Sequence, residues 1–345
     1  MGRGKKTASP RRGGTAAAAA ISERDVAATM RRMLGGGTPE PDDVGYAQVG
    51  KKTMVINTDT WVQSTDMPPR MTLRQAARKS VVSCISDLAA KGARPRFGAI
   101  SVNIPKGATR GDIRGMAGGF ADAAGEYNVR IVAGDTNAGR EFVFNVCMVG
   151  EHTLKQKVAR GGAGPGDGIF VTGPFGYTAL GFKVLLEGHA GSGGAVRRSV
   201  RSVLHPEARA EFGARCAKHF TSAMDSSDGL GFTLNEMARQ SGRTFEVHGV
   251  PATVQLERYA RQNGMSLDSL VFYGGEEYEI VFTATASGAK RITGVADRLG
   301  VPLMKIGTVK DSGWDGRCPV YVRRGGGDDD TRVKIEDSGW EHLAS

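Results

Sequence analysis

Residues 84–95 read Cys84-Ile85-Ser86-Asp87-Leu88-Ala89-Ala90-Lys91-Gly92-Ala93-Arg94-Pro95. Across residues 73–88, the positions Leu73, Ala76, Ala77, Ser80, Val81, Cys84 and Leu88 recur at intervals of three and four. That spacing predicts one buried face of an amphipathic helix starting near Thr72, and Gly92 and Pro95 supply its stop signals. Ser80, Ser83, Cys84 and Asp87 share one side of the helix, so a carboxylate projects from a stripe of small residues where another group can approach closely. Lys91, one turn on, offers Asp87 an ordinary helix ion pair. The rest of the chain offers a second reading, because acids beside Gly, Ser or Thr end one apolar run after another.

On the N-terminal side, Ser22 and Asp25 predict a capped helix over residues 22–34, ended by Gly35-Gly36-Gly37. A paired acid follows in the loop Pro41-Asp42-Asp43-Val44-Gly45, then an apolar strand over residues 53–56 and the segment Asn57-Thr58-Asp59-Thr60. Residues 45–51 nearly spell a phosphate-binding loop. They fail as one, because position 52 is Lys52 and the segment leads into a strand rather than from a strand into a helix.

On the C-terminal side, strands are expected over residues 97–104, 129–133 and 141–150, with a helix over 110–125; the second strand ends in Gly134-Asp135-Thr136. Glycine density peaks at Arg160-Gly161-Gly162-Ala163-Gly164-Pro165-Gly166-Asp167, before a strand over 169–172. The remainder reads as a helix over 206–219, a short apolar run over 221–224, and Asp225-Ser226-Ser227-Asp228-Gly229-Leu230 opening a helix through Arg239. Asp225 and Asp228 are three apart with serines between them, a plausible helix cap as well as a ligand pair. Gly274-Gly275-Glu276-Glu277-Tyr278-Glu279 then leads into a strand over 280–283, a helix over 288–299 and short strands over 303–309 and 320–322. Residues 324–331 read as a loop. Alternating strands and helices imply an α/β (α+β) protein with helices packed on its sheets.

The chain has 345 residues, 40% hydrophobic and 24% charged, enough for roughly two domains. We place their boundary near residue 155, giving domains over 21–154 and 155–345. The four cysteines, Cys84, Cys147, Cys216 and Cys318, lie far apart without any Cys-x-x-Cys pair. That excludes a zinc or disulfide framework and fits a cytoplasmic protein. The net charge of +10 owes part of its size to Arg3, Lys5, Lys6, Arg11 and Arg12. Residues 1–20 are low in complexity, are expected to be disordered, and have too short an apolar run for a signal peptide or membrane span.

Collected together, Asp42, Asp43, Asp59, Asp87, Asp135, Asp225 and Asp228 are carboxylates with Gly, Ser or Thr neighbours, mostly at predicted strand ends. Several carboxylates share a site only when protons or cations neutralise them. Oxygen ligands without Cys or His favour a hard ion such as magnesium, completed by water and phosphate oxygens. The six histidines sit apart from these acids, so no Ser-His-Asp or Cys-His arrangement competes.

The segments Pro41-Asp42-Asp43, Asn57-Thr58-Asp59-Thr60, Ser86-Asp87-Leu88-Ala89-Ala90-Lys91-Gly92-Ala93, Gly134-Asp135-Thr136, Arg160 through Asp167, Val171-Thr172-Gly173-Pro174, Ser227-Asp228-Gly229-Leu230 and Gly275-Glu276-Glu277-Tyr278-Glu279 occur in the order seen in thiamine-monophosphate kinases. The chain resembles archaeal members most, over residues 22–343. The resemblance implies the two-domain fold of the aminoimidazole ribonucleotide synthetase superfamily, which also holds selenophosphate synthetase and a hydrogenase maturation factor. It implies ATP-dependent phosphorylation of thiamine monophosphate, several magnesium ions and a homodimer, with no membrane partner and no nucleic acid. By the same resemblance, Asp43, Thr58, Asp59, Asp87, Asp135, Asp225 and Asp228 would hold magnesium, and Gly134, Asp135, Arg160 and Ser227 would contact ATP. Glu276 and Trp340 fall where the family contacts thiamine.

The departures from the family pattern are local. Its Gly-Asp-Asp is Pro41-Asp42-Asp43, its Ser-Thr-Asp is Asn57-Thr58-Asp59, and its Gly-Glu-Asp-Tyr-Glu is Gly275-Glu276-Glu277-Tyr278-Glu279. Bacterial members carry a substrate-contacting histidine seven residues after the aspartate at position 59; here that substrate position is Asp66. The alternatives are another ATP-using member of the superfamily acting on a different acceptor, or a binding protein that uses the basic arm on nucleic acid. Selenophosphate synthetase is disfavoured, since no early reactive Cys sits in a glycine-rich loop. Deleting residues 1–20 separates an enzyme from an arm-driven binder. Turnover should be unchanged, whereas loss of a salt-sensitive nucleic-acid affinity is what the binding reading requires.

Overall fold

A computed structural model of the chain describes residues 22–34, 41–189, 191–311, 320–324 and 331–338. Two compact units are present, one holding the first helix and the other every later element. That first helix, α1 (Glu23–Leu34), begins as expected: Ser22 and Asp25 cap each other, with the Asp25 amide donating to Ser22 Oγ at 3.2 Å and the Ser22 hydroxyl to Asp25 Oδ2 at 2.7 Å. The glycines expected to end it lie outside the described residues.

The first sheet comes from residues 45–152. Its elements are β1 (Gly45–Val49), β2 (Lys52–Val62), α2 (Gln63–Asp66), α3 (Leu73–Ala90), β3 (Arg94–Pro105), α4 (Arg110–Glu126), β4 (Arg130–Gly139) and β5 (Val143–His152), in the strand order β1-β2-β5-β3-β4. Only β3 and β4 pair in parallel, with α4 as their crossover. One face of this sheet carries Val55, Phe144, Val146 and Met148 into a core shared with Val81, Cys84, Ile85 and Leu88 of α3.

The second sheet comes from residues 168–334. In chain order its elements are β6 (Gly168–Val171), α5 (Tyr177–Leu186), α6 (Gly194–Leu204), α7 (Ala210–Cys216), β7 (Ser222–Asp225), α8 (Leu230–Ser241), β8 (Thr244–Val247), α9 (Val254–Gln262), α10 (Leu267–Phe272), β9 (Ile280–Ala284), α11 (Ala286–Leu299), β10 (Met304–Lys310), β11 (Val320–Arg324) and β12 (Thr331–Lys334). The strand order is β12-β11-β8-β10-β6-β9-β7. One core packs Leu230, Leu234 and Met237 of α8 on Phe245, Val247 and Val320; a second packs Phe212 and Ile292 on Phe170 and Phe282. No helix among the described residues is long and apolar enough to cross a membrane.

Helix α3 lies between the two sheets, and this explains its composition. It starts with a reciprocal cap, Thr72 with Gln75, and ends where Gly92 turns to φ 67° and Ala93 N donates to Leu88 O at 2.9 Å. Thirteen of its residues are buried, including Arg78, Lys79 and Ser86, so it meets protein on almost every side. Neighbouring helices approach α3 most closely at positions outside the stripe of Ser80, Ser83, Cys84 and Asp87. A Cβ added to Gly119 of α4 would stand 2.0 Å from Arg74 O, and one added to Gly213 of α7 would stand 2.0 Å from Ala89 O.

Several boundaries differ from those expected. Strand β2 does not stop at Ile56 but runs to Val62, because it pairs residue for residue with β5 from Thr53↔His152 to Val62↔Val143. Strand β4 runs through Gly134-Asp135-Thr136 to Gly139, carried by its ladder with β3. Asn57, Asp59 and Asp135 are therefore in strands rather than at strand ends. The expected helix over 206–219 begins only at Ala210, since Pro206 O accepts from buried Arg78 (2.6 Å) and Arg209 is spent on Glu279. Strands β11 and β12 take the first and last residues of the expected 324–331 loop, and helices α2, α5, α6, α9 and α10 and strands β1 and β8 had no expectation.

The close passage of α7 over α3 is testable by denaturant unfolding. Gly213→Ala should cost about 1–3 kcal/mol, the usual penalty for overpacking. Gly125→Ala, at a helical position with nothing within 4 Å of the new Cβ, should be neutral or gain up to about 1 kcal/mol. Equal effects would mean that the helices part without cost.

Candidate active site

Three carboxylates from distant parts of the chain converge where the first sheet, α3 and the second sheet meet. Asp43 precedes β1, Asp87 lies in the last turn of α3, and Asp225 ends β7; each offers an oxygen, and the three oxygens lie within 4.8 Å of one another. Neighbouring residues hold them in place. Asn57 of β2 donates from Nδ2 to Asp87 Oδ2 (2.8 Å) and to Asp43 O (3.1 Å). Ser86 donates from Oγ to Asp225 Oδ2 at 2.9 Å. One strand and one helix thus orient all three acids.

The charges around Asp43 are balanced and those around the other two are not. Arg160 reaches Asp43 Oδ1 through Nε (2.7 Å) and Nη2 (2.6 Å). Lys91, with no exposed side-chain surface, lies 2.7 Å from Asp42 Oδ1 and 2.9 Å from Asp43 Oδ2, and donates to Ala223 O at 2.7 Å. It does not serve Asp87, so the expected helix ion pair is corrected: the acids of the 41–43 loop take the lysine. Burial alone would raise the Asp43 carboxyl, but Arg160 and Lys91 outweigh it and hold the group below the usual range. Burial pushes Asp87 well up, with the Asp225, Asp43 and Asp59 charges adding to it. Burial and then the Asp43 charge push Asp225 up to about 7.

Asn57 Oδ1 and Ser226 Oγ are buried without a hydrogen-bond partner among the described residues, and Asp43 Oδ2 meets the Lys91 ammonium at 2.9 Å. Surplus buried negative charge and orphaned oxygens at one point make an arrangement that a hard cation would complete.

A second layer is built by the turn after Asp225 and the loop before β9. Glu276 N donates to Ser227 O at 2.6 Å and Tyr278 N to Ser226 O at 3.0 Å. Gly229 has φ 104°, and a Cβ there would lie 2.4 Å from Gly274 O, so only glycine permits this backbone contact. Glu276 and Tyr278 are left-handed at φ 64° and 53°, a strain that the surrounding contacts must hold. Alternate acids of the loop then point to different partners. Glu276 meets Lys79 Nζ at 2.6 Å through each oxygen, Glu277 accepts from Thr178 Oγ1 at 2.7 Å, and Glu279 takes Arg209 through two nitrogens at 2.7 and 2.5 Å. Glu277 is pushed up to about 8 by burial.

The remaining candidates fall in several places. Asp59 is close enough to raise Asp87, and strand alternation puts it on the α3 side of the sheet. Thr58 and Asp135 point to the opposite, open face, in cross-strand rows with Cys147 and Ala99 and with Asn145 and Ser101. Gly134 lies beside Asp135 on exposed β4. Asp228 and Ser227 are half-buried in the turn after β7. Asp66 accepts from Val62 N at 2.7 Å across the short helix α2. Trp340 lies outside the described residues. Sequence reasoning missed Lys79 and the true partners of Lys91. The signal for both was that residues 76–90 are mostly small or apolar on every face, so charged side chains inside that stretch or at its end must be buried and partnered.

Residues 41–152, which carry the first sheet and two of the three converging acids, match the family model described as AIR synthase related protein, N-terminal domain. The solved structure of AaThiL complexed with AMPPCP and TMP has the same fold, with a TM-score of 0.80 at 23% identity over 96% of this chain and 100% of that one. Thiamine-monophosphate kinase of Pyrococcus horikoshii is 30% identical, covering 88% of this chain and 90% of its own length. That of Nitrosopumilus maritimus is 42% identical, covering 94% of this chain and 99% of its own. An identity of that size sustained from one end of the relative to the other places the protein in a family: the chain belongs to the thiamine-monophosphate kinases.

Proposed function

We propose that the protein transfers the γ-phosphoryl group of ATP to the phosphate of thiamine monophosphate, giving thiamine diphosphate and ADP. The observation that carries this reading is the convergence of Asp43, Asp87 and Asp225 in a chain of this family. The likeness to a structure that holds AMPPCP, an ATP analogue, together with TMP supports it. The acids fit magnesium by donor type and, at Asp87 and Asp225, by unneutralised charge, with Asp59 beside them and Asp228 in the adjoining turn. Bound at these oxygens, magnesium supplies the charge neutralisation that lets two phosphate groups approach.

The chain's own residues set the geometry. The acceptor is already anionic, so no side chain is needed as a general base, and none is assigned. Asn57 and Ser86 fix the carboxylates, while Arg160 and Lys91 keep Asp43 ionised. Thr58, Gly134, Asp135, Arg160 and Ser227 are proposed for metal and nucleotide contacts, and Asp66, Glu276 and Trp340 for the acceptor. A division of the body near residue 155 belongs to the same reading, supported by two sheets drawn from separate stretches of chain. So does a homodimer, supported by the open face of the first sheet, where Ile56 and Phe97 are each 39% exposed beside Val149 in one cross-strand row. A second copy on that face would cover the row and enclose Asp135. A cytoplasmic location accords with this chemistry.

Two experiments test the site. Coupled ADP release should appear with ATP, magnesium and thiamine monophosphate, and not with thiamine or aminoimidazole precursors in its place; release with none of the acceptors would sink the assignment. In the same assay Asp87→Asn should lose about two orders of magnitude or more, the scale of one preorganised electrostatic contact, with circular dichroism unchanged. The second is a stability measurement. Asp225 binds its proton more tightly folded (about 7) than at its ordinary value of 3.8, so the metal-free protein loses this contribution as pH rises through that window. With a chelator present, Asp225→Asn should therefore gain in thermal midpoint over the native protein from pH 4 to pH 7, and added magnesium should shrink the gap. A gap independent of both pH and magnesium would remove the cation from the reading.

A further inference from the structure

Lys79 is a buried cation for which the phosphoryl-transfer reading has so far supplied no use. Its side chain is 3% exposed, and both oxygens of Glu276 lie 2.6 Å from Nζ, while the Glu276 side chain is 27% exposed. The ring of Phe182 has its centroid 5.8 Å from the same ammonium. Glu276 is held there by unusual backbone: φ 64°, its amide on Ser227 O, and a preceding glycine whose Cβ would stand 2.7 Å from that same oxygen. A pair kept only for stability would be matched or bettered by apolar side chains of similar volume. Strained backbone that aims a charged group is found mainly where a ligand is clamped.

The acceptor of the proposed reaction carries both signs of charge, a quaternary ring nitrogen and a phosphate. Asp66, which takes the place of the family's substrate-contacting histidine, is itself an acid and is engaged with Val62 N; it brings no positive charge to a phosphate. Lys79 lies on the same helix as Asp87 and two turns before it, about 12 Å along the axis. A flexible four-carbon stem carries its ammonium, and Glu276 stands where the loop meets the turn after Asp225.

We propose that Lys79 and Glu276 form a matched pair of contacts for a zwitterionic acceptor, closed on each other in the free protein and divided by the ligand. Glu276 takes the cationic ring and Lys79 takes the phosphate, which turns that phosphate toward the acids around Asp87. The exchange conserves charge, since each partner leaves one ion pair and enters another. This inference rests on the proposed kinase reading and adds to it the source of the positive charge that position 66 lacks.

Calorimetric binding of thiamine and of thiamine monophosphate, with thermal midpoints alongside, tests it on the full chain. The native protein should prefer the phosphorylated ligand. Lys79→Met should lose about tenfold or more of that preference, the worth of one charge-assisted hydrogen bond, with thiamine affinity undiminished, since Glu276 no longer has to leave a partner to meet the ring. Glu276→Gln should weaken thiamine at least as much as thiamine monophosphate, and Lys79→Arg should keep the preference. Each charge-removing single variant leaves an unpaired charge and should lower the midpoint, whereas the double variant Lys79→Met, Glu276→Gln should recover midpoint without recovering preference. Recovery of both in the double variant, or equal loss of the two ligands in Lys79→Met, would make the pair structural and overturn the inference. If the native protein turns over thiamine monophosphate and Lys79→Met still prefers it, this inference alone fails. If the native protein does not bind thiamine monophosphate, the kinase reading fails with it.

Discussion

A single buried ammonium ties the structure together. Lys91 has no exposed side-chain surface, yet it meets Asp42 and Asp43 from the loop before β1 and the carbonyl of Ala223 from β7. Taking such a charge out of water costs several kcal/mol unless its partners are well placed, and removing one member of a buried pair costs roughly 3–5 kcal/mol. The lysine therefore constrains both sheets at once, as their strands must bring these oxygens to it. Helix α3, which carries Lys91 at its end, has to lie between the sheets for that to happen. The convergence of Asp43, Asp87 and Asp225 follows from this placement.

Local elements were legible where one side chain pattern decided them. The start of α3 near Thr72 could be read from spacing, since the same residues that bury it also define its period, and its stop from Gly92; the Thr72 cap went unread. Strand ends were not legible. Asn57-Thr58-Asp59-Thr60 looks like a loop because it is polar, but its four residues lie inside a ladder of ten pairs between β2 and β5, and the polar residues are tolerated because one sheet face is open. Helices α5 and α6 went unread because glycines inside and between them resemble linker, whereas Gly181 is there to let α6 pass, a Cβ on it standing 2.3 Å from Ser199 O.

The site was legible as a set of residue types and much less so as a set of pairs. Acids beside small residues pointed to Asp43, Asp87 and Asp225, which do meet. Partner choice could not be read, because it is decided by desolvation in three dimensions. Lys91 is four residues from Asp87 and bonds instead to acids some fifty positions away, where a buried cation finds two oxygens and a carbonyl. The result is a division of labour among like groups: one acid kept ionised by cations, two kept short of them. Only the second kind has reason to attract an ion from solution.

Helix α3 carries Lys79 and Asp87 on one rigid rod, and that makes helical phase a constraint on the chain's history. Adding or removing one residue between them would turn the two groups by a further 100° or so about the axis, and no local adjustment inside a helix buried on nearly every side could undo it. Turns with open space around them, such as those at Gly50 and Gly107, carry no such constraint. Between Lys79 and Asp87 the number of positions is fixed by the helix, whatever side chains fill those in between.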